Sequence, residues 1–404
     1  MTSGPASRLP VSPILIAGAG IGGLAAALAL AERGLNAQIF EKRAAPSEDG
    51  AGIQIGPNGV HVLRQLGVAQ TLAPLTASPE ALHVMDGVSG RTLTRMQLGR
   101  PFEERHGAPY WTAHRADLHA ALLRAARTNP LISLTLGAEV TGAENFSGHV
   151  AIKTGDGATI KGAALIAADG SASRLRGQIF KSAPLSYSGS VACRAVISAS
   201  DLPGGLSPAA THIWLTPTAH AVHYPVRGGD EIALVAVIAR AHPAGAPGAV
   251  EEARTVRAQF HRAAPFLKAL IARAPEWRGW PLMVMASPPP HRVAGRIARI
   301  GDAAHPILPF LAQGAVMALE DAAVLASELA RTPQSIADAL SRYAGLRAPR
   351  SLRVARAAER NGRLYHLGGP LAPMRNAVLR ASSPDRLINT YDWLYGWRLE
   401  SAEH

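Results

Sequence analysis

Residues 14–43 place the tightest constraint on this chain of 404 residues. The apolar run at residues 14–17 is followed by a G-x-G-x-x-G pattern, whose glycines are Gly18, Gly20 and Gly23. This order predicts a strand, a tight turn that can approach a pyrophosphate, and a helix packed close to the strand. A second predicted strand ends at Glu41, where a carboxylate can bond a ribose hydroxyl. The segment therefore predicts an adenine-dinucleotide site, and a tight turn in an α/β protein without a cofactor is the alternative.

The composition is that of a globular protein that is long enough for two packed units. Hydrophobic residues make up 48% of the chain and charged residues 17%. The single cysteine, Cys193, excludes an internal disulfide and a cysteine-based zinc site, and we predict no metal site. A reducing compartment, the cytoplasm, fits this usage, and Cys193 itself reads as a small buried strand residue.

The formal net charge of +12 raises the question of which anionic partners the chain binds. Basic blocks with interleaved aromatic residues and known DNA-binding spacings are missing, so we expect no nucleic-acid partner. Glycines interrupt the apolar run near the N-terminus, and we expect no transmembrane helix. The positive charge is better suited to small anions, such as cofactor phosphates or a substrate carboxylate.

Strand and helix patterns alternate in a way that predicts discontinuous domains. Residues 81–97 read as a hairpin, residues 149–168 as a second hairpin with a long second strand, and residues 191–239 as an antiparallel sheet. Residues 250–273 read as helical, and Pro349 is expected to kink or split a helix at residues 335–363. We therefore expect a cofactor-binding unit at 1–75, 98–185 and 281–340, an inserted sheet at 76–97 and 186–280, and a C-terminal helical region at 341–404.

Three further motifs carry chemistry far from the glycine turn. DGSASRLR, residues 169–176, combines an acid at a strand end with a flexible glycine, hydroxyls and cations that can bond sugars and phosphates. GDAAHPILPFLAQGAVMALEDA, residues 301–322, has an acid at a strand end, a proline loop and a helix start whose free N–H groups can face an electron-rich ring. Arg115 begins a predicted helix in HRADLHAALL.

Taken in this order, the motifs resemble the signatures of the class A, single-component FAD-dependent aromatic hydroxylases. The segments AGIQIGPNGVHVLRQLG, HRADLHAALL, PFLAQGAVMALEDA and DWLYGW are most similar to the salicylate, 3-hydroxybenzoate and 6-hydroxynicotinate hydroxylase branch. The resemblance covers nearly the whole chain. It implies an α/β, glutathione-reductase-like FAD-binding fold with an inserted antiparallel substrate-binding sheet and a C-terminal helical region.

The resemblance also implies an activity. The chain is expected to be a monooxygenase that uses FAD, NADH or NADPH, and O₂, and that hydroxylates a small aromatic substrate through a C4a-hydroperoxyflavin. The expected substrate is anionic, of the hydroxybenzoate, salicylate or hydroxypyridine type, and the protein is expected to be a monomer or a homodimer. Two alternatives stay open: a flavin oxidoreductase that inserts no oxygen, and a non-catalytic flavin-binding protein.

The residues that match the family's motifs are expected to bind the cofactor: Gly18, Gly20, Ile21, Gly22, Gly23, Glu41, Lys42, Arg43, Gly52, Arg115, Val140, Asp169, Asp302, Pro309, Gln313, Gly314 and Ala315. Asp302 would bond the ribityl chain, and Asp169 would serve both FAD and the transient NAD(P)H. One departure is Ala312, which stands where many members have glycine. Alanine is tolerable there unless the position needs a positive φ.

One strand of the inserted sheet carries the candidate catalytic residues. In HAVHYPVR, His220, Val222 and Tyr224 share one face, and His223 lies on the other. A phenol becomes nucleophilic when it is deprotonated, and histidine suits that task near neutral pH. The pair His220 and Tyr224 resembles the one in the 3-hydroxybenzoate and 6-hydroxynicotinate hydroxylases, so His220 is expected as base and Tyr224 as a hydrogen-bond partner of the substrate. His223 is the alternative if the register differs by one residue.

Three other features favour structural roles. His305 is expected to pack beside the flavin loop. Adjacent Glu320 and Asp321 point different ways on a helix, which favours capping or surface roles over acid–base work. The arginines spaced three or four residues apart from Arg347 to Arg363 are expected to form a solvated helix face.

Overall fold

The computed structural model of the chain describes residues 12–45, 51–243, 245–285, 292–332 and 334–400. In chain order the strands are β1 Ile14–Ala17, β2 Ala37–Glu41, β3 Gly52–Ile55, β4 Thr76–Ala77, β5 Ala81–Asp86, β6 Thr92–Gln97, β7 Trp111–His114, β8 Ile132–Leu136, β9 Val140–Asn145, β10 Val150–Thr154, β11 Thr159–Gly162, β12 Ala164–Ala167, β13 Ser186–Ser198, β14 Ala210–Leu215, β15 Ala219–Val226, β16 Glu231–Ala239, β17 Ala249–Glu251, β18 Trp277–Val284, β19 Val293–Ala294 and β20 Ile297–Arg299. The helices are α1 Ile21–Glu32, α2 Pro57–Gln65, α3 Ala69–Leu72, α4 Arg100–His106, α5 Arg115–Thr128, α6 Arg174–Gln178, α7 Ala253–Gln259, α8 Pro265–Arg273, α9 Gly314–Arg331, α10 Ile336–Tyr365, α11 Leu371–Ala381 and α12 Pro384–Tyr395.

A six-stranded sheet forms the centre of the cofactor-binding unit, with the order β19-β20-β12-β1-β2-β8. All its pairings are parallel except the one between β19 and β20. The apolar sequences ILIA and ALIA of β1 and β12 are buried along their whole length, as expected for strands covered on both faces. The alanine-rich helix α1 packs on this sheet, between α5 and α9. This is the predicted α/β dinucleotide-binding fold.

The second large sheet has eight strands, in the order β17-β18-β13-β16-β15-β14-β5-β6. The hairpin predicted at residues 81–97 is confirmed as β5 and β6, and it joins the sheet beside β14. Strands β5 and β14 pair in parallel, so the prediction of a purely antiparallel sheet is wrong at this junction. Cys193 is buried on β13, which confirms the predicted small buried strand residue, and burial raises the pKa of its thiol to about 12.

Two expected elements are divided differently in the structure. The long second strand of the 149–168 hairpin is two strands, because the chain turns at Gly162 from β11 into β12 of the parallel sheet. A Cβ at Gly162 would lie 2.7 Å from the carbonyl oxygen of Pro13, so only glycine fits this turn. The stretch expected to be helical at 250–273 begins with β17 and then forms α7 and α8.

The division into domains remains a proposal. Two of its boundaries fall inside elements of the structure, since β18 runs to Val284 and α10 begins at Ile336. Of the two effects expected of Pro349, a kink or a split, the split does not occur, because α10 is one helix of 30 residues. Arg347 and Arg350, on either side of the proline, are both bonded to α9, which holds the helix together across this point.

The cluster that joins α9 to α10 corrects two further predictions. Glu320 and Asp321 are 0% exposed, so the expected surface role is excluded for both. Arg347, expected on a solvated face, is 1% exposed and lies 2.8 Å from both carboxylates. Arg350 forms a second contact with Glu320 at 2.7 Å, and Arg353 packs over the ring of Trp393 at 3.9 Å. The outer arginines of the stripe, including Arg356, Arg360 and Arg363, are exposed as predicted.

Candidate active site

The glycine turn after β1 has the geometry that the sequence pattern predicts. Gly18 has φ +105°, and a Cβ at Gly23 would lie 1.9 Å from the carbonyl oxygen of Gly18, so helix and turn touch through backbone alone. A Cβ at Gly20 would meet nothing within 4 Å. No neighbouring protein atom therefore requires a glycine at position 20, and the Gly20 backbone faces an open space. Glu41 accepts a hydrogen bond from the N–H of Ala19 at 2.7 Å, which places its carboxylate at the same turn.

Three connected spaces lie along this turn and the inserted sheet. The nucleotide cleft, of about 120 Å³, is lined by Ala19, Glu41, Arg43, Arg115 and His119 among others. The central cavity, of about 270 Å³, is lined among others by Gly52, Arg194, Asp302, Gly314 and Ala315. The apolar chamber, of about 590 Å³, has walls that include Leu82, Met96, Ile213, Leu364 and Leu379.

Shared residues make these spaces one continuous trough. Gly20, Ile21 and Arg115 line both the nucleotide cleft and the central cavity. His220 and Val222 line both the central cavity and the apolar chamber. The trough thus runs from the glycine turn to the sheet that was predicted to hold a substrate.

The polar groups in the trough suit a dinucleotide. Helix α1 begins at Ile21, and its N-cap residue Gly20 has no side chain to cap it, so the first N–H groups of the helix are free for a pyrophosphate. Arg115 is partly open to solvent and lines both the cleft and the central cavity, where its guanidinium can meet a phosphate. Asp169 has a buried Oδ1 without a hydrogen-bond partner, an unmet acceptor beside the trough. These features fit the pyrophosphate and hydroxyl groups of FAD.

The loop before α9 borders the central cavity through Pro309, Ala312, Gly314 and Ala315. Ala312 has φ +53°, so the position does favour glycine and the alanine is strained there. The Gln313 side chain points elsewhere, since its Oε1 accepts a hydrogen bond from Asn58 at 3.0 Å. Gln313 is buried and lines none of the three spaces, so its contact with the flavin ring stays a prediction.

The remaining predicted cofactor residues fall into three groups. Gly22 lines the central cavity, and Arg43 lines the nucleotide cleft. Lys42 is exposed and lines none of the three spaces. Val140 begins β9 of the sheet formed by β9, β10 and β11. Its side chain is buried in an apolar core and lines none of the three spaces. We keep Lys42 and Val140 as predictions from the resemblance, without a contact that supports them.

The register of β15 places His220 on the trough and His223 on the opposite side of the sheet. His220 is 2% exposed and packs against the rings of Phe310 and Tyr365, each at 5.3 Å. His223 accepts a hydrogen bond from Trp214 at 3.1 Å and stacks on His212 at 4.5 Å. Of the two candidates, only His220 can face a ligand in the trough.

Tyr224 lies on the same face as His220 and is 2% exposed. It is hydrogen-bonded to Gln54, which also accepts a hydrogen bond from Tyr110 at 2.8 Å. Gly52 makes room for the ring, because a Cβ there would lie 2.5 Å from Tyr224 Cε2. Burial raises the pKa of Tyr224, so its hydroxyl stays neutral and can donate a hydrogen bond.

Sequence reasoning missed five residues of this region: Gln54, Arg194, Phe310, Tyr365 and His366. Gln54 and Arg194 sit on strands whose alternation marks them only as inward-facing. Tyr365 and His366 come from the end of α10, far from β15 in the chain, so no local pattern connects them with His220. Phe310 is the one with a sequence signal, because it lies in the proline loop of the motif at residues 301–322.

Among the described residues, no cluster of three or more His, Cys, Asp or Glu side chains could hold a metal ion. Within the same ranges, no helix is both long enough and apolar enough to cross a bilayer.

The fold and the trough define a flavoprotein in which an FAD-binding unit faces a substrate-binding sheet. The chain belongs to the FAD binding domain family, whose model matches residues 11–358. Within that family it is an FAD-dependent aromatic monooxygenase, a class that uses NAD(P)H and O₂ as co-substrates.

Named relatives and a solved structure support this assignment. The chain is 36% identical over 387 residues to 3-hydroxybenzoate 6-hydroxylase 1 of Aquipseudomonas alcaligenes, which covers 95% of this chain and 97% of the relative. It is 34% identical over 354 residues to 6-hydroxynicotinate 3-monooxygenase of Bordetella bronchiseptica, and this alignment covers 86% of this chain and 91% of the relative. The structure of Klebsiella pneumoniae HpxO complexed with FAD and uric acid matches with a TM-score of 0.81 and 28% identity, over 94% of this chain and 95% of that one. The predicted family and fold are confirmed.

Proposed function

We propose that this protein hydroxylates a phenolic ring of the hydroxybenzoate or hydroxypyridine type, with His220 as the base that takes the phenolic proton. The observation that carries the proposal is the position of His220, which lines both the central cavity and the apolar chamber. The names of the relatives supply the substrate type, since they act on 3-hydroxybenzoate and 6-hydroxynicotinate.

The chemistry of His220 fits this role. Burial lowers the pKa of His220 well below its usual value, and His366 acts in the same direction. The imidazole is therefore neutral near pH 7 and has a nitrogen that can accept a proton. Removing that proton makes the phenol oxygen a strong electron donor to the ring and activates the ring carbon to be hydroxylated.

Tyr224 and its partners are proposed to orient the substrate. The hydrogen bonds that link Tyr224, Gln54 and Tyr110 hold three polar groups at the junction of the central cavity and the chamber. The neutral Tyr224 hydroxyl can donate to the phenolate oxygen after His220 has taken the proton. Such a donor stabilises the developing charge where the apolar walls exclude water.

We propose that FAD lies along the trough with its adenosine end in the nucleotide cleft. Glu41, Arg43 and Arg115 would hold the ribose and pyrophosphate, Asp302 the ribityl chain, and Pro309, Gly314 and Ala315 would border the ring. When bound and reduced by NAD(P)H, the flavin supplies the activated oxygen. The protein supplies the base, the orientation and a dry pocket.

The decisive experiment is aerobic NADH and NADPH oxidation by the FAD-loaded protein, with a panel of 3-hydroxybenzoate, salicylate and 6-hydroxynicotinate. Strong stimulation with near-stoichiometric hydroxylated product is the expected result. Stimulation with only hydrogen peroxide would favour an oxidoreductase that inserts no oxygen, and bound FAD without any NAD(P)H oxidation would favour a non-catalytic protein. The variant His220→Gln should keep FAD and lose about 10²-fold or more in kcat for phenolic substrates.

Three further proposals concern the location of the protein, its assembly and the charge of its substrate. A cytoplasmic location is supported by the single, buried Cys193 and by the consumption of reduced nicotinamide. A monomer or a homodimer is proposed for the assembly, with gel filtration as the test. An anionic substrate is supported by the net charge of +12.

A further inference from the structure

A second histidine, His366, is hydrogen-bonded to His220, the proposed base. His220 Nδ1 and His366 Nε2 are 2.9 Å apart, and the two rings are tilted by 43° with centroids at 5.0 Å. One nitrogen must carry the hydrogen of this bond. If His220 is to take a proton at Nε2, its Nδ1 carries the hydrogen and donates it to His366 Nε2.

The two histidines differ in their access to solvent. His220 is 2% exposed, and Phe310 and Tyr365 cover its ring. His366 is at the C-terminal end of α10, is partly exposed, and lines none of the three spaces of the trough. It therefore stands between the buried base and the protein surface.

The other groups around the pair are poor proton acceptors. Tyr365 touches His220 through its ring, and burial raises the pKa of its hydroxyl, which stays protonated. Tyr224 on β15 behaves in the same way. Arg375 of α11 is the charged group that acts on His366, and it is bonded to the carbonyl oxygens of Leu364 and Tyr365. Among the described groups in contact with His220, His366 is the neutral base.

We propose that His366 is the second member of a proton relay, through which His220 exchanges the phenolic proton of the substrate with solvent. The proposal rests on the proposed function, since it requires His220 to be the base. His366 does not touch the substrate; it is a positioning residue that acts through His220.

Each step of the relay balances. The phenolic O–H bond breaks and a bond forms between that proton and His220 Nε2. The Nδ1–H bond of His220 then breaks, and the same proton forms a bond with His366 Nε2. His366 releases its Nδ1 proton to water or buffer, so that both rings are neutral again. The reverse transfers restore the starting tautomers when the product phenol is re-protonated and leaves.

The test compares His366→Gln with the wild type in steady-state hydroxylation of 3-hydroxybenzoate between pH 6 and 9. A glutamine oxygen can accept the hydrogen bond from His220 Nδ1, so it holds the ring, but it cannot take the proton. We expect kcat to fall about tenfold to a hundredfold at pH 7, with KM changed by less than about twofold. The deficit should shrink toward pH 9, where more of the substrate is already ionised.

Chemical rescue separates a relay from a purely structural role. In His366→Ala, added imidazole should restore kcat in proportion to its neutral fraction, while His366→Gln should not respond. His83→Gln is the matched control, because His83 is another partly buried histidine, stacked on His212 at 5.0 Å, that lines none of the three spaces. It should leave kcat and its pH dependence unchanged.

The outcomes distinguish the two proposals. If the wild type hydroxylates no member of the panel, the proposed function fails, and the relay fails with it. If the wild type is active and FAD-loaded His366→Gln has the same kcat at every pH, the relay alone is overturned. A change confined to KM, or a folded His366→Ala that imidazole does not rescue, would also overturn it.

Discussion

The guanidinium Nε of Arg347 lies 2.8 Å from Asp321 Oδ1, and both side chains are almost completely buried. The same carboxylate accepts hydrogen bonds from His305 at 2.5 Å and from the N–H of Gly301 at 3.0 Å. Gly301 lines the central cavity. The contact therefore ties α10, through α9, to the loop that carries Asp302, the residue proposed to bond the ribityl chain.

Replacing Arg347 by methionine should lower the free energy of unfolding by about 3 to 5 kcal/mol, because it removes from two buried carboxylates a counter-charge that lies 2.8 Å from each of them. Asp321 shows the strength of the coupling, since His305 and Arg347 lower the pKa of its carboxyl against the opposing effect of burial. Urea unfolding of the FAD-free protein measures the change. Arg356→Met, an exposed arginine of the same helix, should alter stability by less than about 0.5 kcal/mol. Equal effects of the two substitutions would contradict the burial argument.

Two glycines of the same turn should respond differently to alanine. At Gly20 a Cβ meets no protein atom within 4 Å, so Gly20→Ala should leave the melting temperature of the FAD-free protein unchanged. It should nevertheless weaken FAD binding by about tenfold or more, since the methyl group would occupy the space proposed for the pyrophosphate. At Gly23 the Cβ would lie 1.9 Å from a backbone oxygen, so Gly23→Ala should destabilise the FAD-free protein itself. Calorimetry and a fluorescence titration with FAD measure the two quantities. Unchanged FAD affinity in a well-folded Gly20→Ala would remove the turn as the pyrophosphate site.

The buried histidines should make the protein sensitive to acid. Burial lowers the pKa of His212 to about 4, with neighbouring His83 acting in the same direction. His223, stacked on the other side, also has a pKa lowered by burial. Between pH 6.5 and about 4 the unfolded chain binds a proton at His212 that the folded protein does not. Stability should therefore fall as the pH decreases through this window, by on the order of 3 kcal/mol for this residue.

The variant His212→Phe keeps a ring in the stack and removes the titration, so the difference in stability between pH 7 and pH 5 should become smaller. Chemical unfolding at the two pH values measures that difference. His261→Gln, an exposed histidine on the surface, serves as control and should behave as the wild type does. A pH dependence that His212→Phe leaves untouched would show that other groups govern acid unfolding.

Arg194 and Arg115 both line the central cavity, and burial lowers the pKa of the Arg194 guanidinium, with repulsion from Arg115 acting in the same direction. Arg194→Met should remove that repulsion while the methionine keeps the contact with Trp280, whose ring lies 4.7 Å from the guanidinium. The stability of the FAD-free protein should be unchanged or higher, and FAD should bind about tenfold more weakly. Arg91→Met, on the exposed hairpin, is the control for charge alone. Unchanged FAD affinity together with a raised KM would instead assign Arg194 to the substrate.

Local patterns in the sequence were sufficient for the backbone geometry at two parts of the candidate site, the glycine turn and β15. The glycine turn depends on φ angles and on a few close backbone contacts, so Gly18, Gly20, Gly23 and Glu41 could be assigned from spacing alone. The period of two along β15 likewise placed His220 and Tyr224 on one face and His223 on the other. These features follow from backbone geometry within one element, which the order of residue types encodes directly.

Other features depend on which elements pack together, and that information is not local. Glu320 and Asp321 read as surface acids because their partner Arg347 lies on another helix, and only the packing of α10 on α9 neutralises them in the interior. His366 is 146 residues from His220 in the chain, so no spacing rule links them. The sequence alone thus determined the cofactor turn, the alternation of the strands and the family. The tertiary structure decided which buried charges are paired and which second histidine meets the base, because these contacts exist only once distant elements are packed.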